Sequence, residues 1–597
     1  MIEPRLYRAA FLPALLAVIV TMFSLENRPP GLPQALAADV LFQGKVADDT
    51  VNQFVAQWPD RRAGTVGDRA AARSVARTFA QSGFTTVMDP FQSGGKELVN
   101  VIARRAGGSR RQLVILADRD ATSMPDATGS AADTGALVEI ARVLQGTPSR
   151  KTIVLASVDG GSLGEVGARR MLASLPDRDK IEAVIVLSNL AAPGPAVPPL
   201  VTWSNGPERV GVGLERTAAS SMAQEFGKSP GGSGAAAQMI RLAFPLGVGA
   251  QGPLLDDGVD AVRFSASGEL PPPVSKRGPA SVDVNRLGSL GRSVLRTVFA
   301  IDQGTRQLER GPTSYVSVGQ KVLPRWALAL LGLSLIAPAL IASVDGFARA
   351  SRRREPVGRF ARWVLVAALP LLAAVVLAKL IVWTGVISEP PSAPLSPTLR
   401  PLHIRGIVVL GVLAVVAAAL WIAAWRSALR AGRRGRLDLA SPGAGAVLAL
   451  VLSLTTLAVW FVNPFTALML VPALHLWMLA SIAQLPRRGP VPILLAAGGL
   501  LPLVISALYY LDRLSVGPLR GLWYLFLLVA GGDVGIFASL FSCVLVGVFG
   551  CLVAMLVARA RKAPPARIEE AEQPSIFGPG GYAGPGALGG TESAIRR

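Results

Sequence analysis

The sequence predicts an α/β domain with a mostly parallel sheet, joined to an α-helical transmembrane bundle. Three observations predict it. Hydropathy divides the 597-residue chain: up to about Pro312 it is mixed in character, whereas from Trp326 to Ala558 apolar stretches follow one another at about the 20 residues that cross a bilayer core. Within the first part, short apolar β-rich runs alternate with helical patterns, as in a sheet covered on both faces. Arg and Lys cluster between the apolar stretches at positions that share one side if each stretch is crossed once.

Residues 9–25, AAFLPALLAVIVTMFSL, follow Arg5 and Arg8 and read as a signal peptide or a membrane anchor. Ala35-Leu36-Ala37 resembles a small-residue cleavage site but lies farther beyond the apolar run than such sites usually do, so retention of a helix over 1–25 is expected. Either way, the domain over 40–310 is exported. Seven further spans are drawn over 325–558, at 325–343, 363–385, 404–425, 443–462, 465–484, 491–511 and 535–558. The apolar segment 519–531 is read as a short re-entrant or interfacial piece, because a full crossing there would move Arg559–Lys562 to the outer side. The tail 563–597, rich in Gly, Pro and Ala, is expected to be disordered and cytoplasmic. The expected location is the cell membrane, with the large domain extracytoplasmic and the N-terminus cytoplasmic.

The formal charge of +21 belongs mainly to Arg352–Arg354, Arg359, Arg362, Arg426–Arg436, Arg487–Arg488 and Arg559–Lys562, all beside apolar stretches. Charge placed there orients a membrane protein. The soluble part has no basic, aromatic-interleaved surface pattern, so nucleic acid is not an expected ligand. The two cysteines, Cys543 and Cys551, both lie in the last apolar stretch, which excludes a disulfide framework for the soluble domain. That domain must be held by its core.

Strands are predicted at Leu98–Ala103, Leu113–Ala117, Thr152–Val158, Ala183–Leu187, Leu200–Trp203 and Ala261–Ser265. Helices are predicted at Asp68–Ser82, Ala131–Leu144, Leu163–Ala173 and Asn285–Ile301. Pro271–Pro279 and Gln303–Ser317 read as surface connections. In such a sheet, ligands bind beyond the carboxyl ends of the strands.

Over residues 47–301 an ordered series of landmarks resembles the co-catalytic zinc aminopeptidases of metallopeptidase family 28. Arg62-Ala-Gly-Thr-Val-Gly67 and a helix come first, then the strand Asn100-Val-Ile-Ala103. Leu113–Asp120 resembles the strand ending in His-x-Asp, and Gly129–Gly135 the turn Gly-Ala-x-Asp-Asn-x-Ser-Gly. Asp159-Gly-Gly-Ser-Leu-Gly-Glu-Val-Gly-Ala168 resembles the turn that carries Glu-Glu. The resemblance implies a two-zinc site with a glutamate base, and this sequence departs from it at each ligand. Asp118 stands for the first histidine, Ala131 for the bridging aspartate, Gly161 and Ser162 for the base and its neighbour, Ser188 for an aspartate and Gln251 for the last histidine. Only Asp120 is kept. His403 and His475, the only two histidines, belong to the membrane half.

Hydrolysis is therefore not expected, and no cofactor is implied. The degenerate cleft, with Asp118, Asp120, Ser162, Ser188 and Gln251, becomes a candidate site for a peptide, a lipid-linked substrate or another membrane protein, with membrane lipid as the surrounding partner. The order of membrane helix, exported domain and bundle is similar in layout to the non-catalytic peptidase-like subunit of eukaryotic GPI transamidase. Two alternatives stand beside this reading: an active zinc aminopeptidase with altered ligands, and transport through the bundle around His475, an ionisable group at membrane depth.

Lesser readings complete the expectation. Asp118, Asp120 and Asp133 either hold a hard cation or are solvated loop acids. Glu165 is placed along the following helix, away from the strand ends, and Gly160-Gly161 and Gly231–Gly234 read as flexible loops. Asp512, Arg513 and Asp533 flank segment 519–531 as a shallow groove or as surface ion pairs.

Overall fold

Two short helices, α1 (Pro4–Ala9) and α2 (Leu12–Phe23), lead to a two-residue strand, β1 (Glu26–Asn27). The structure, a computed structural model, describes residues 4–32, 41–272, 281–303, 308–430, 437–481 and 489–562. Ala35-Leu36-Ala37, Arg487–Arg488, most of Pro271–Pro279 and the tail 563–597 lie outside the described residues.

The soluble domain is built on a seven-stranded sheet. Its strands are β2 (Thr85–Ser93), β3 (Lys96–Arg105), β4 (Ser109–Asp118), β5 (Lys151–Val158), β6 (Ile181–Ser188), β7 (Leu200–Val201) and β8 (Ala261–Ser265), in the order β2-β3-β5-β4-β6-β8-β7. The central four, β5, β4, β6 and β8, are parallel, whereas β2, β3 and β7 add antiparallel edges. The expected parallel character therefore holds for the centre only. Edge strand β2 escapes sequence reading because Pro90 argues against a central strand, and an edge is where a strand tolerates proline.

Helices α3 (Gly44–Gln57), α4 (Val66–Gln81), α5 (Ala132–Leu144), α6 (Val166–Ser174), α7 (Val212–Phe226), α8 (Ala235–Ala243), α9 (Gln251–Asp256) and α10 (Val284–Gln303) surround the sheet. Thr65 caps α4 by accepting from Asp68 N. Gly67 is required because a Cβ there would stand 2.1 Å from Asp60 O. Leu113–Ala117, Val154–Ala156 and Ala183–Leu187 are fully buried, with Leu137, Ile140, Leu290 and Val294 packed in the same core. Each large apolar side chain so buried stabilises by about 1.5–3 kcal/mol, enough in sum to hold a domain without disulfides.

One polar network lies inside this core. Arg119, just past β4, donates from Nε and Nη2 to the two Asp68 oxygens of α4 at 2.9 and 2.6 Å. It also donates to Val99 O of β3 and Ser157 O of β5, and lies 3.8 Å from Asp159. Asn100 continues the network, accepting from Asp159 N and donating to Gly167 O.

In the membrane half, six helices are long and apolar enough to cross a bilayer: α11 (Arg325–Arg352), α12 (Val357–Val366) continued by α13 (Leu369–Trp383), α14 (Ile404–Arg430), α15 (Pro442–Val462), α17 (Val491–Arg513) and α19 (Ile536–Lys562). Pro370, which lacks an amide donor, accounts for the break between α12 and α13. Two drawn spans come out shorter. The first is Tyr7–Phe23, interrupted at Ala10–Phe11, and the second is α16 (Pro464–Ala480), which starts at the Asn463 corner where α15 ends. Segment 519–531 forms α18 (Pro518–Gly531), too short at 14 residues to cross.

Domain and bundle are joined at several points. Hairpin β9 (Tyr315–Val318) and β10 (Lys321–Pro324) pairs with β1 and runs into α11. Asn463 Nδ2 and Thr466 Oγ1 donate to Leu242 O and Ala243 O of the domain, at 2.8 and 2.6 Å. Tyr510 donates to Phe244 O, and Arg513 pairs with Glu269.

Arg119 and Asp68 are both fully buried, so removing one charge strands the other in a low-dielectric core. Arg119→Met is expected to destabilise the soluble domain by about 3–5 kcal/mol. Thermal unfolding of the purified full chain checks this, and an unchanged midpoint would contradict it.

Candidate functional site

The carboxyl ends of β4, β5, β6 and β8 converge on one edge of the domain. Asp118 ends β4, Asp120 follows two residues later, Ser162 lies in the turn after β5, and Ser188 ends β6. β6 and β8 are in register at Ser188 and Ser265, and β8 also carries Arg263. Gln251 opens α9 and is fully buried. All five cleft positions expected from the sequence are thus brought to this end of the sheet.

Their chemistry is inward. Asp120 accepts from Gly161 N and Ser162 N at 2.8 and 3.0 Å, so its carboxylate pins the turn after β5. Asp133 does the same one strand over, accepting from Asn189 N and Leu190 N at 2.8 and 2.9 Å. Neither is a solvated loop acid, since they are only 2% and 3% exposed. Ser188 accepts from Asn189 Nδ2. Gln251 donates to Trp203 O and Val248 O, and accepts a long bond from Arg263.

The glycines also differ from the flexible-loop expectation. A Cβ on Gly161 would stand 2.7 Å from Asp118 Oδ1, so absence of a side chain lets the turn close on that carboxyl. Gly160, Gly164 and Glu165 all have positive φ, and this tight turn redirects Glu165. Rather than lying away along α6, Glu165 is 5% exposed and interacts electrostatically with Asp118, Asp120 and Arg263. A Cβ on Gly231, Gly232 or Gly234 would meet open space, as expected of surface loop positions.

Burial, reinforced by the charge of Asp120 and opposed by Arg263, pushes the Asp118 carboxyl up to about 7. Burial and Asp118 push Glu165 well above the carboxylate range. Asp118 Oδ1 and Glu165 Oε2 are buried without hydrogen-bond partners among the described residues, an arrangement that favours protonated carboxyls. Arg263, itself held by Val248 O, Gly268 O and Glu269 O, supplies the local positive charge. Neither Arg263 nor the inward turn of Glu165 was legible in sequence, because their partners come from other strand ends.

Zinc does not fit this donor set. Two of the acids spend their oxygens on backbone amides, a guanidinium faces the others, and among the described residues no cluster of three His, Cys, Asp or Glu is arranged to hold a metal. No cation-site reading of Asp118, Asp120 and Asp133 survives for the same reason.

His475 is a joint between helices. Its Nδ1 lies 2.7 Å from Tyr7 Oη and its Nε2 3.0 Å from Leu335 O, with the Phe11 ring centroid 5.5 Å away. The carbonyl can only accept, so Nε2 carries the proton and Nδ1 accepts from Tyr7. Both nitrogens are used, and the ring links the N-terminal helix, α11 and α16.

The cleft rim is covered by the segment between α13 and α14. Ser392 Oγ donates to Gly164 O at 2.9 Å, and Arg169 Nη1 donates to Ser392 O at 2.7 Å. Ala393, Leu395 and Ser396 are buried, while Tyr524 Oη and Trp523 Nε1 of α18 donate to Leu395 O and Arg400 O. This strap, Ser388–Arg400, is clamped between the turn after β5 and α18.

Two outcomes follow. Asp118 favours its neutral form in the fold, so its contribution to stability is complete below about pH 4 and is lost as pH rises through about 7. Asp118→Asn is expected to match wild type near pH 4 and exceed it by up to about 4 kcal/mol near pH 8, read from unfolding midpoints at both values. At Gly164, φ is +100° and a Cβ would stand 2.5 Å from Ser392 N. Gly164→Ala should cost about 1–3 kcal/mol and speed chymotryptic cleavage after Leu399; equal cleavage rates would show that the strap is held elsewhere.

Residues 100–235 match the family model of Peptidase family M28. No sequence among the curated proteins matches this chain. Among solved structures, a zinc aminopeptidase from Bacillus subtilis is 14% identical, covering 43% of this chain and 94% of its own, with a TM-score of 0.35. The LapA aminopeptidase of Legionella pneumophila is 13% identical over 45% of this chain and 74% of its own, with a TM-score of 0.36. A glutaminyl cyclase from an Acidobacteriales bacterium is 17% identical over 47% and 99%, with a TM-score of 0.35. The segment over 100–235, which holds β4, β5, β6 and the turns between them, is thus an M28 peptidase-like part of a larger α/β domain.

Proposed function

We propose that this chain is a non-hydrolytic, membrane-bound peptidase-like protein of the cell envelope, whose soluble domain binds a peptide, a lipid-linked substrate or a partner protein. One observation carries the reading: the strand-end cradle is filled by the chain's own groups. Asp120 and Asp133 bind backbone amides, Gly161 packs on Asp118, and Arg263 supplies positive charge beside Asp118 and Glu165. A binding domain tolerates such a filled cradle, whereas metal-assisted hydrolysis requires open coordination positions.

The proposed orientation places the soluble domain outside the cytoplasm. Arg352–Arg354, Arg359 and Arg362 lie at the turn from α11 to α12, and Arg559, Arg561 and Lys562 at the end of α19, both remote from the ends that meet the domain. Lys562 pairs with Asp438 and Arg559 donates to Ser481 O, gathering these helix ends on one side. Such a concentration of positive charge marks the cytoplasmic side. The C-terminal tail and the N-terminus would lie there as well.

The purified full chain is expected to carry far less than one zinc per molecule by elemental analysis and to leave aminoacyl chromogenic substrates uncleaved. Stoichiometric zinc with cleavage abolished by Asp118→Ala and Asp120→Ala would replace this reading with that of an active aminopeptidase.

A further inference from the structure

A cavity of about 250 Å³ lies where the soluble domain, the strap and the outer end of the bundle meet. Its walls include Arg169 of α6, Asp256 at the end of α9, Ser392 of the strap, Leu246, Leu528 of α18 and Asp533 in the turn to α19. The cavity is separate from the degenerate strand-end cluster, none of whose acids line it.

Its charge is unbalanced. Two carboxylates face one guanidinium, and Arg169 draws on both of them electrostatically. Arg169 Nη1 is already fixed to Ser392 O, and among the described residues neither Asp256 nor Asp533 is in a salt bridge. Desolvation holds Asp533 up at about 6 despite Arg169, so a further positive group would stabilise its charged form. A ligand carrying an ammonium complements the pair of acids, and a phosphate on the same ligand complements the remaining Arg169 donors.

Position selects the source. The cavity lies against the end of α18, where Trp523 packs with apolar residues of the bundle, Tyr524 packs with Leu246 and Val248 of the domain, and both polar tips bond to the strap. Aromatic side chains of that kind sit at the headgroup level of a bilayer. Leu246 and Leu528 give the cavity an apolar edge, and its volume is below the roughly 300–1,000 Å³ of sites that enclose a whole drug-sized molecule. It suits a headgroup whose acyl chains remain outside.

We propose that this cavity binds the headgroup of an ammonium-bearing phospholipid of the phosphoethanolamine type, with Asp256 and Asp533 on the ammonium and Arg169 on the phosphate. The inference deepens the lipid-binding arm of the proposed function. Its failure would leave the absence of hydrolysis untouched, since zinc content and peptide cleavage are read separately.

The test uses the full chain reconstituted in phosphatidylcholine nanodiscs containing phosphatidylethanolamine or phosphatidylglycerol, with lipids retained after detergent extraction counted by native mass spectrometry. Wild type should retain phosphatidylethanolamine about tenfold over either competitor, equivalent to about 1.4 kcal/mol. Asp256→Asn with Asp533→Asn should remove that preference while the unfolding midpoint is kept. Equal retention of the three lipids by wild type, or an unchanged preference in the double variant, would overturn the assignment. Soluble phosphoethanolamine competing as strongly as the lipid would overturn the lipid source. If the double variant fails to fold, the wild-type preference and the soluble competition still decide the proposal.

Discussion

The fold of the soluble domain turns on the guanidinium of Arg119. A fully buried charge of this kind is tolerable only when every donor direction meets an acceptor, and here the acceptors come from α4, β3 and β5. Meeting them fixes the relative positions of three elements at the point where β4 leaves the sheet. Because Arg119 lies between Asp118 and Asp120, the same constraint aims those two side chains. Asp120 then reaches the turn after β5, and that turn in turn sets the conformation of Glu165. The geometry of the strand ends is thus inherited from a structural ion pair between residues far apart in sequence, Asp68 and Arg119.

A metal site and this site solve the same physical problem differently. Strand ends in an α/β sheet leave backbone amides and acidic side chains crowded together, and like charges there must be compensated. In this chain burial raises all four acids, amide donors oppose that rise at Asp120 and Asp133, and Arg263 supplies positive charge beside Asp118 and Glu165. The close approach of Gly161 to Asp118 leaves no space between turn and strand for a further group. What remains chemically open is the outer face, where the strap and α18 meet the domain.

The central sheet was legible because fully buried parallel strands must be continuous apolar runs, and Leu113–Ala117 and Ala183–Leu187 are such runs. The five cleft positions were legible through the order of the landmarks around them. Arg263 was not, since a single arginine within Ala261–Ser265 declares its strand but not its partners. Glu165 was misplaced because helical spacing was extended through a turn whose positive φ values at Gly160 and Gly164 change the direction of the chain. His475 looked like a functional group by depth alone, and only the approach of Tyr7 and Leu335 revealed a satisfied ring. Hydropathy likewise located α16 without showing that its helix stops at Ala480, while the short α18 matches the reading of segment 519–531 as too brief to cross.

The pairing of β1 with β10 joins distant parts of the chain. Glu26 and Asn27 sit immediately after the first membrane helix, and their partners, Val322 and Lys321, sit immediately before α11. The short strand therefore has no partner until the whole intervening domain has been synthesised. Closure of this small sheet ties the connection that enters the domain to the connection that leaves it, so the domain is held to the helices at both of its chain ends.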